Sequence, residues 1–191
     1  MLTNRIIGAF TFRRGVYAEV EADASFTSTA WILVIVVAVL NQLGSYASSD
    51  VVNWLISALV GAIFSVIGFA VAALVINWVG QKVFKADVTF NELVRTLGLA
   101  YVWNVVGVLG VLTAISAALA CVLGPAMVIA WVALVIAWFV AVKEALDLEW
   151  IQTIVTVILG WIALIAAAVV AGLVLALLGL TAVGISGLFG F

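Results

Sequence analysis

The side chains able to do chemistry are few in this sequence, and they avoid its long apolar runs. Histidine does not occur, and Cys121 is the single cysteine. Without imidazole the chain lacks the usual proton shuttle near neutral pH and the commonest ligand for haem or metal. A lone thiol forms no internal disulfide and no metal cluster. No glycine-rich phosphate loop is present, and no nucleophile can be matched with a base. The expectation is therefore a protein that is not an enzyme and holds no cofactor or metal. Polar groups that do lie in the apolar runs are Ser65, Asn77, Asn104, Thr113, Ser116 and Thr156, with Asn41 and Asn53 nearer the run ends. Asn77 and Asn104 sit near the inner ends of two runs, where they would either hydrogen-bond each other or line a polar vestibule. No run contains an ionisable group of the kind that marks ion and proton paths.

Hydropathy dictates the elements that must carry these groups. The chain is 68% hydrophobic and 8% charged, with a mean hydropathy of +1.44. Soluble domains carry about 25% charged residues, so lipid is the solvent for most of this surface. A formal charge of -2 argues against nucleic acid as a partner. The seven basic residues, Arg5, Arg13, Arg14, Lys82, Lys85, Arg95 and Lys143, precede the first apolar run or fall in the second or fourth connection. Lys and Arg near span ends stay cytoplasmic, so the N-terminus is expected inside, the C-terminus outside, and the span count odd. The fold class that follows is all-α: a polytopic membrane protein with five transmembrane helices. Residues 1–25 form a cytoplasmic or interfacial segment and residues 26–191 the five-helix domain. The first 25 residues are too mixed for a cleaved leader and are expected to be retained.

Local signals set the boundaries. Around residues 3–20, Ile6, Ile7, Phe10, Tyr17 and Val20 alternate with Arg5, Arg13, Arg14 and Glu19. With Glu21 beside Glu19, this is the pattern of an interfacial helix or hairpin whose arginines meet lipid phosphates. Spans are expected at about 27–44 and 51–81. A capping box, Thr89 to Glu92 with Val88 and Leu93 as staple, opens the third helix, whose apolar stretch covers 101–123. Glu92 and Arg95 would lie on the surface of its first turns, and Gly98 would allow a bend. Gly124-Pro125 reads as an outer turn with Pro125 starting the fourth helix, which runs to Val142. Asp147 is placed to cap a fifth helix over 150–180, followed by a glycine-spaced apolar tail over 180–191.

Membrane helices associate through close backbone approach, which small residues permit. The second span carries Ala58, Gly61, Ser65, Gly68 and Ala72 at alternating spacings of three and four, and the third carries Gly107, Gly110, Ala114, Ala117 and Cys121. The two stripes are expected to face each other at the centre of the bundle, with a weaker stripe on the fifth span. Trp54, Trp78, Trp103 and Trp150 suit interfacial anchoring; Trp31, Trp131, Trp138 and Trp161 lie deeper. The inner connections carry Lys82, Lys85, Asp87, Glu92, Arg95, Lys143, Glu144 and Asp147, a charged face suited to a protein partner or lipid headgroups.

The arginine-containing N-terminal segment, VGQKVF at 79–84 followed by VTFNELVRTLG at 88–98, and KEALDLEW at 143–150 together resemble the Yip-domain family. These are integral membrane proteins named for interacting with Ypt/Rab GTPases, with bacterial and archaeal relatives. The resemblance covers nearly the whole chain. It implies a five-helix membrane domain with a cytoplasmic N-terminus and no known catalysis. The expected function is a non-enzymatic scaffold or adaptor in a prokaryotic plasma membrane, in contact with lipids and with other membrane proteins or a second copy of itself. The alternatives are an accessory subunit of a respiratory or photosynthetic complex and, less so, a small-molecule transporter. The charge asymmetry makes the topology testable by cysteine accessibility in sealed cells. Ser48→Cys should be labelled only from outside and Ala86→Cys only from the cytoplasm; the reverse pattern would refute the orientation.

Overall fold

A computed structural model describes residues 2–116 and 118–177. Two short helices, α1 (Leu2–Phe10) and α2 (Val16–Ala22), precede α3 (Phe26–Ser45) and α4 (Val51–Val83). The third span is composite: α5 (Phe90–Ala100), a 3₁₀ segment (Tyr101–Leu109) and α6 (Gly110–Ile115). Helices α7 (Ala118–Leu146) and α8 (Trp150–Leu177) complete the bundle. Five helical stretches, the composite counted as one, are long and apolar enough to cross a membrane. Together with the family evidence below, they make this an all-α integral membrane protein. The tail expected over 180–191 lies outside the described residues.

Capping chemistry places several of the boundaries. Asp50 accepts from the Asn53 backbone N–H at 3.1 Å and starts α4. Thr89 and Glu92 form the reciprocal capping box of α5, with Thr89 N–H donating to the Glu92 carboxylate at 2.6 Å. Two expected boundaries move. The turn after the third span falls at Ser116 rather than at Gly124-Pro125, and α7 continues through Pro125. That proline removes one backbone hydrogen bond from α7. The third span can end early because its 3₁₀ segment rises about 2.0 Å per residue. Nine residues then cover about 18 Å instead of about 13.5 Å. Asp147 does not cap α8; it adopts φ 48° just after α7, and α8 begins at Trp150.

The small-residue stripes do give close approach, but not to each other. Gly107 and Gly110 meet the end of α3. A Cβ on Gly44 would fall onto the Gly107 carbonyl oxygen, and one on Gly110 would lie 2.6 Å from the Gly44 carbonyl oxygen. On α4, Gly61 faces Tyr46 and Gln42, whereas Gly68 faces Ala167 of α8 at 3.4 Å. Gly160 of α8 leaves room for Ile76, and α4 with α8 is the most extensive helix pair. Ala58 is buried on α4, but Ala114 is exposed on α6. The expected pairing of spans two and three is thus replaced by α4 on α8 and α3 on the third span. Each stripe met a different complement, and that on α3 is Gly44 with Asn41, which form no small-residue stripe.

Aromatic rings tie all five spans together. Phe69, fully buried on α4, lies 5.7 Å from Trp31 of α3, 5.4 Å from Tyr101 of the third span and 6.3 Å from Trp138 of α7. Trp138 in turn lies 6.4 Å from Trp161 of α8. These edge-on or tilted arrangements are favourable, each worth about 0.5–1.5 kcal/mol beyond area burial.

The glycine contacts predict a contrast in stability. Gly44→Ala forces a side chain into backbone and should cost about 1–3 kcal/mol. Gly124→Ala adds a Cβ within α7 where nothing lies within 4 Å. It should be neutral or stabilising by about 0.5–1 kcal/mol. Thermal unfolding in detergent measures both; equal effects would rule out the packing described.

Candidate functional site

The charged end of the bundle is built by α2 lying across the start of α5 and the end of α7. Val16, Tyr17 and Val20 are buried there, so the N-terminal segment is docked rather than only dipping into headgroups. Burial pushes the Tyr17 hydroxyl pKa up, and its oxygen has no partner among the described residues. Two of the arginines expected to reach lipid phosphates pair internally. Arg5 contacts Glu19 at 3.0 Å and Asp23 at 2.8 Å and lies 4.9 Å from the centre of the Phe26 ring, while Arg13 contacts Glu19 at 2.6 Å. Arg14 remains exposed.

Arg95 departs furthest from expectation. It is only 6% exposed, with its guanidinium turned inward against α2. Its Nε donates to the Glu21 carbonyl at 2.9 Å, its Nη2 donates to the same oxygen, and its Nη1 donates to Thr27 Oγ1 at 3.2 Å. Glu92 lies 3.9 Å away. The last carbonyls of a helix lack intrahelical partners and sit at its negative end, so Arg95 serves as a cap for α2 supplied from another helix. A charge this buried is tolerated because each of its three nitrogens has a hydrogen-bond acceptor and a carboxylate lies nearby.

The other charged residues frame this clasp. Lys82 ends α4, Lys85 and Asp87 follow it, and Glu144 and Asp147 lie at the end of α7; all five are exposed. Glu92 and Lys143 are half-buried, with Lys143 Nζ 5.5 Å from the Trp150 ring centre. Glu21, one of the charged residues of the N-terminal segment, joins them. Desolvation, then the carboxylates of Asp147, Glu92 and Glu144, raise its pKa above the ordinary value. Lys85 occupies left-handed backbone at φ 62° immediately after the α4 cap, a position that glycine fills most cheaply.

At depth, no hydrogen bond joins Asn77 to Asn104 among the described residues. Asn77 Oδ1 is buried without a partner. Asn104 instead lines a cavity of about 240 Å³ bounded by all five spans. Ser65, read as part of a packing stripe, accepts from Gln42 Nε2 at 2.8 Å on the cavity wall. Gln42 carried no signal in the sequence beyond ending an apolar run.

A family model for the Yip1 domain matches residues 7–172. The chain belongs to the Yip1-domain family. No curated protein and no solved structure matches it. The matched stretch begins within α1 and ends within α8, so the docked N-terminal helices belong to the Yip1 domain along with the five spans.

The ion pairs at the charged end give a pH dependence. Arg5 holds Glu19 below its ordinary 4.5, and Ser25 followed by Arg5 holds Asp23 below its ordinary 3.8. A depressed carboxylate contributes stability above its unfolded pKa and loses it as pH falls through the folded value. Glu21 has the opposite sign, since protonating it relieves the docked state. Hydrogen-exchange protection of α1 and α2, corrected for intrinsic rates, should therefore hold from pH 7 to about 5 and be lost only as pH falls below the ordinary values of 4.5 and 3.8. Protection unchanged to the lowest pH would mean that these pairs do not hold the segment.

Proposed function

We propose that this Yip1-domain protein is a non-enzymatic membrane adaptor. It acts through contact between its charged end, facing the cytoplasm, and a protein partner in or at the plasma membrane. The observation that carries this reading is Lys85. An exposed lysine in left-handed backbone costs about 1–2 kcal/mol relative to the right-handed form, whereas glycine would sit there without that cost. Strain of this kind is kept where the side chain has work at the surface. Asp147 repeats the arrangement at the other inner connection with φ 48°, although aspartate tolerates it better. Between them the two connections present Lys82, Lys85, Asp87, Glu144 and Asp147, with Glu92 and Lys143 at the edge. Arg95 holds this face together from beneath.

The test separates surface from fold. A photo-crosslinking residue at position 82 should yield an adduct of one defined protein mass in cells, whereas the same residue at the apolar, exposed position 122 should not. In the Lys85→Gly, Asp147→Gly double variant the adduct should fall about tenfold or more while thermal stability stays level or rises. Adducts of equal yield in the variant, or none at position 82, would overturn the adaptor reading. A partner recovered in fixed stoichiometry as part of a larger assembly would favour an accessory subunit instead.

A further inference from the structure

The central cavity has a polar side and an aromatic side. The polar side belongs to α3, α4 and the third span and carries Gln42, Ser65, Tyr101 and Asn104. Gln42 is 6% exposed, and its Oε1 is enclosed without a hydrogen-bond partner. Its amide lies over Gly61, where a Cβ would come within 2.8 Å of that oxygen, so the small residue reserves the space. The Asn104 carboxamide also makes no hydrogen bond among the described residues. Carboxamides both donate and accept, and leaving them unmet in hydrocarbon is costly. The opposite side consists of Trp131 and Trp138 of α7 with Trp161 and Leu164 of α8. No lining residue is a carboxylate, amine or guanidinium.

We propose that this cavity binds a neutral, single-chain lipid alcohol of the monoacylglycerol class. Its hydroxyls meet Gln42 and Asn104, and its chain lies against the tryptophans of α7 and α8. Neutrality follows from the lining, which offers a buried phosphate or carboxylate no counter-charge. Hydroxyls follow from the two carboxamides, since each hydroxyl supplies a donor and an acceptor. A single chain follows from size. At about 240 Å³ the space exceeds the roughly 150 Å³ that encloses a benzene but falls short of the roughly 300–1,000 Å³ of drug-sized sites. Trp131 and Ile165 line the cavity and are also 43% and 42% exposed at the bundle surface, so a chain leaves the cavity past them into the bilayer. This site is separate from the contact face and does not depend on the adaptor reading.

The full chain in phosphatidylcholine nanodiscs, with a monoacylglycerol bearing a diazirine in its chain, provides the test. Mass spectrometry should place adducts within residues 131–138 and 161–168. Unlabelled monoacylglycerol should compete, whereas lysophosphatidylcholine and fatty acid of the same chain length should not. Gln42→Leu should lower labelling about tenfold, the scale of one lost hydrogen bond. Ala168→Phe, which fills the cavity from α8 without touching the amides, should abolish labelling and decides the matter if Gln42→Leu fails to fold. Adducts confined to outward positions such as Ile129 and Ile158, equal competition by all three lipids, or labelling that survives Ala168→Phe would overturn the proposal.

Discussion

The contact of Gly44 with Gly107 and Gly110 is the constraint on which the bundle rests. Between helices already in hydrocarbon, burying one leucine against another gains little, so association depends on how closely backbones approach. Here α3 and the third span run in the same direction and touch backbone to backbone at one end. At the other end Gly98 lies against Ala30 at 3.0 Å from its would-be Cβ, fixing the register along the pair. With that pair set, Phe69 of α4 reaches Trp31 and Tyr101 together, and α7 and α8 close over it through Trp138 and Trp161. The same closure leaves a cavity lined by Gly61 and Gly68 of α4 together with Trp138 and Trp161.

Much of the architecture was legible in the chain. Apolar run length and uncharged interiors marked five spans, and the capping box at Thr89 placed the third helix to the residue. The family resemblance, carried by the segments around 79–98 and 143–150, agrees with the match over residues 7–172. What failed was pairing. A stripe of glycines and alanines says that something comes close but not what, since its complement is Gly44 with Asn41 on α3 or alanines on α8. Gly124-Pro125 misled for a related reason: turn chemistry is a local preference, and the 3₁₀ rise lets the third span end before it.

The sites were legible to a lesser degree. Charge clustering picked out one end of the bundle, but periodicity could not separate the exposed Lys82 and Lys85 from Arg95, which turns inward to cap a helix far away in sequence. Left-handed backbone at Lys85 left no trace in residue type, because lysine gives no turn signal. The cavity was illegible for a deeper reason. Its polar groups come from separate spans, and only the assembled packing shows that Gln42 and Asn104 border the same space.

The clasp of Arg95 on the Glu21 carbonyl joins residues 74 apart along the chain. During synthesis α1 and α2 leave the ribosome long before Arg95 exists, and until the third span is inserted its guanidinium cannot cap α2, whose face toward α5 stays uncovered. The N-terminal helices therefore pass through an undocked interval in which their apolar face is open to lipid or to chaperones. Closure of the clasp reports that the third span has arrived in the correct orientation: a chain threaded the wrong way would leave Arg95 on the opposite side of the bilayer. The guanidinium thus couples docking of the N-terminal helices to the presence of the third span.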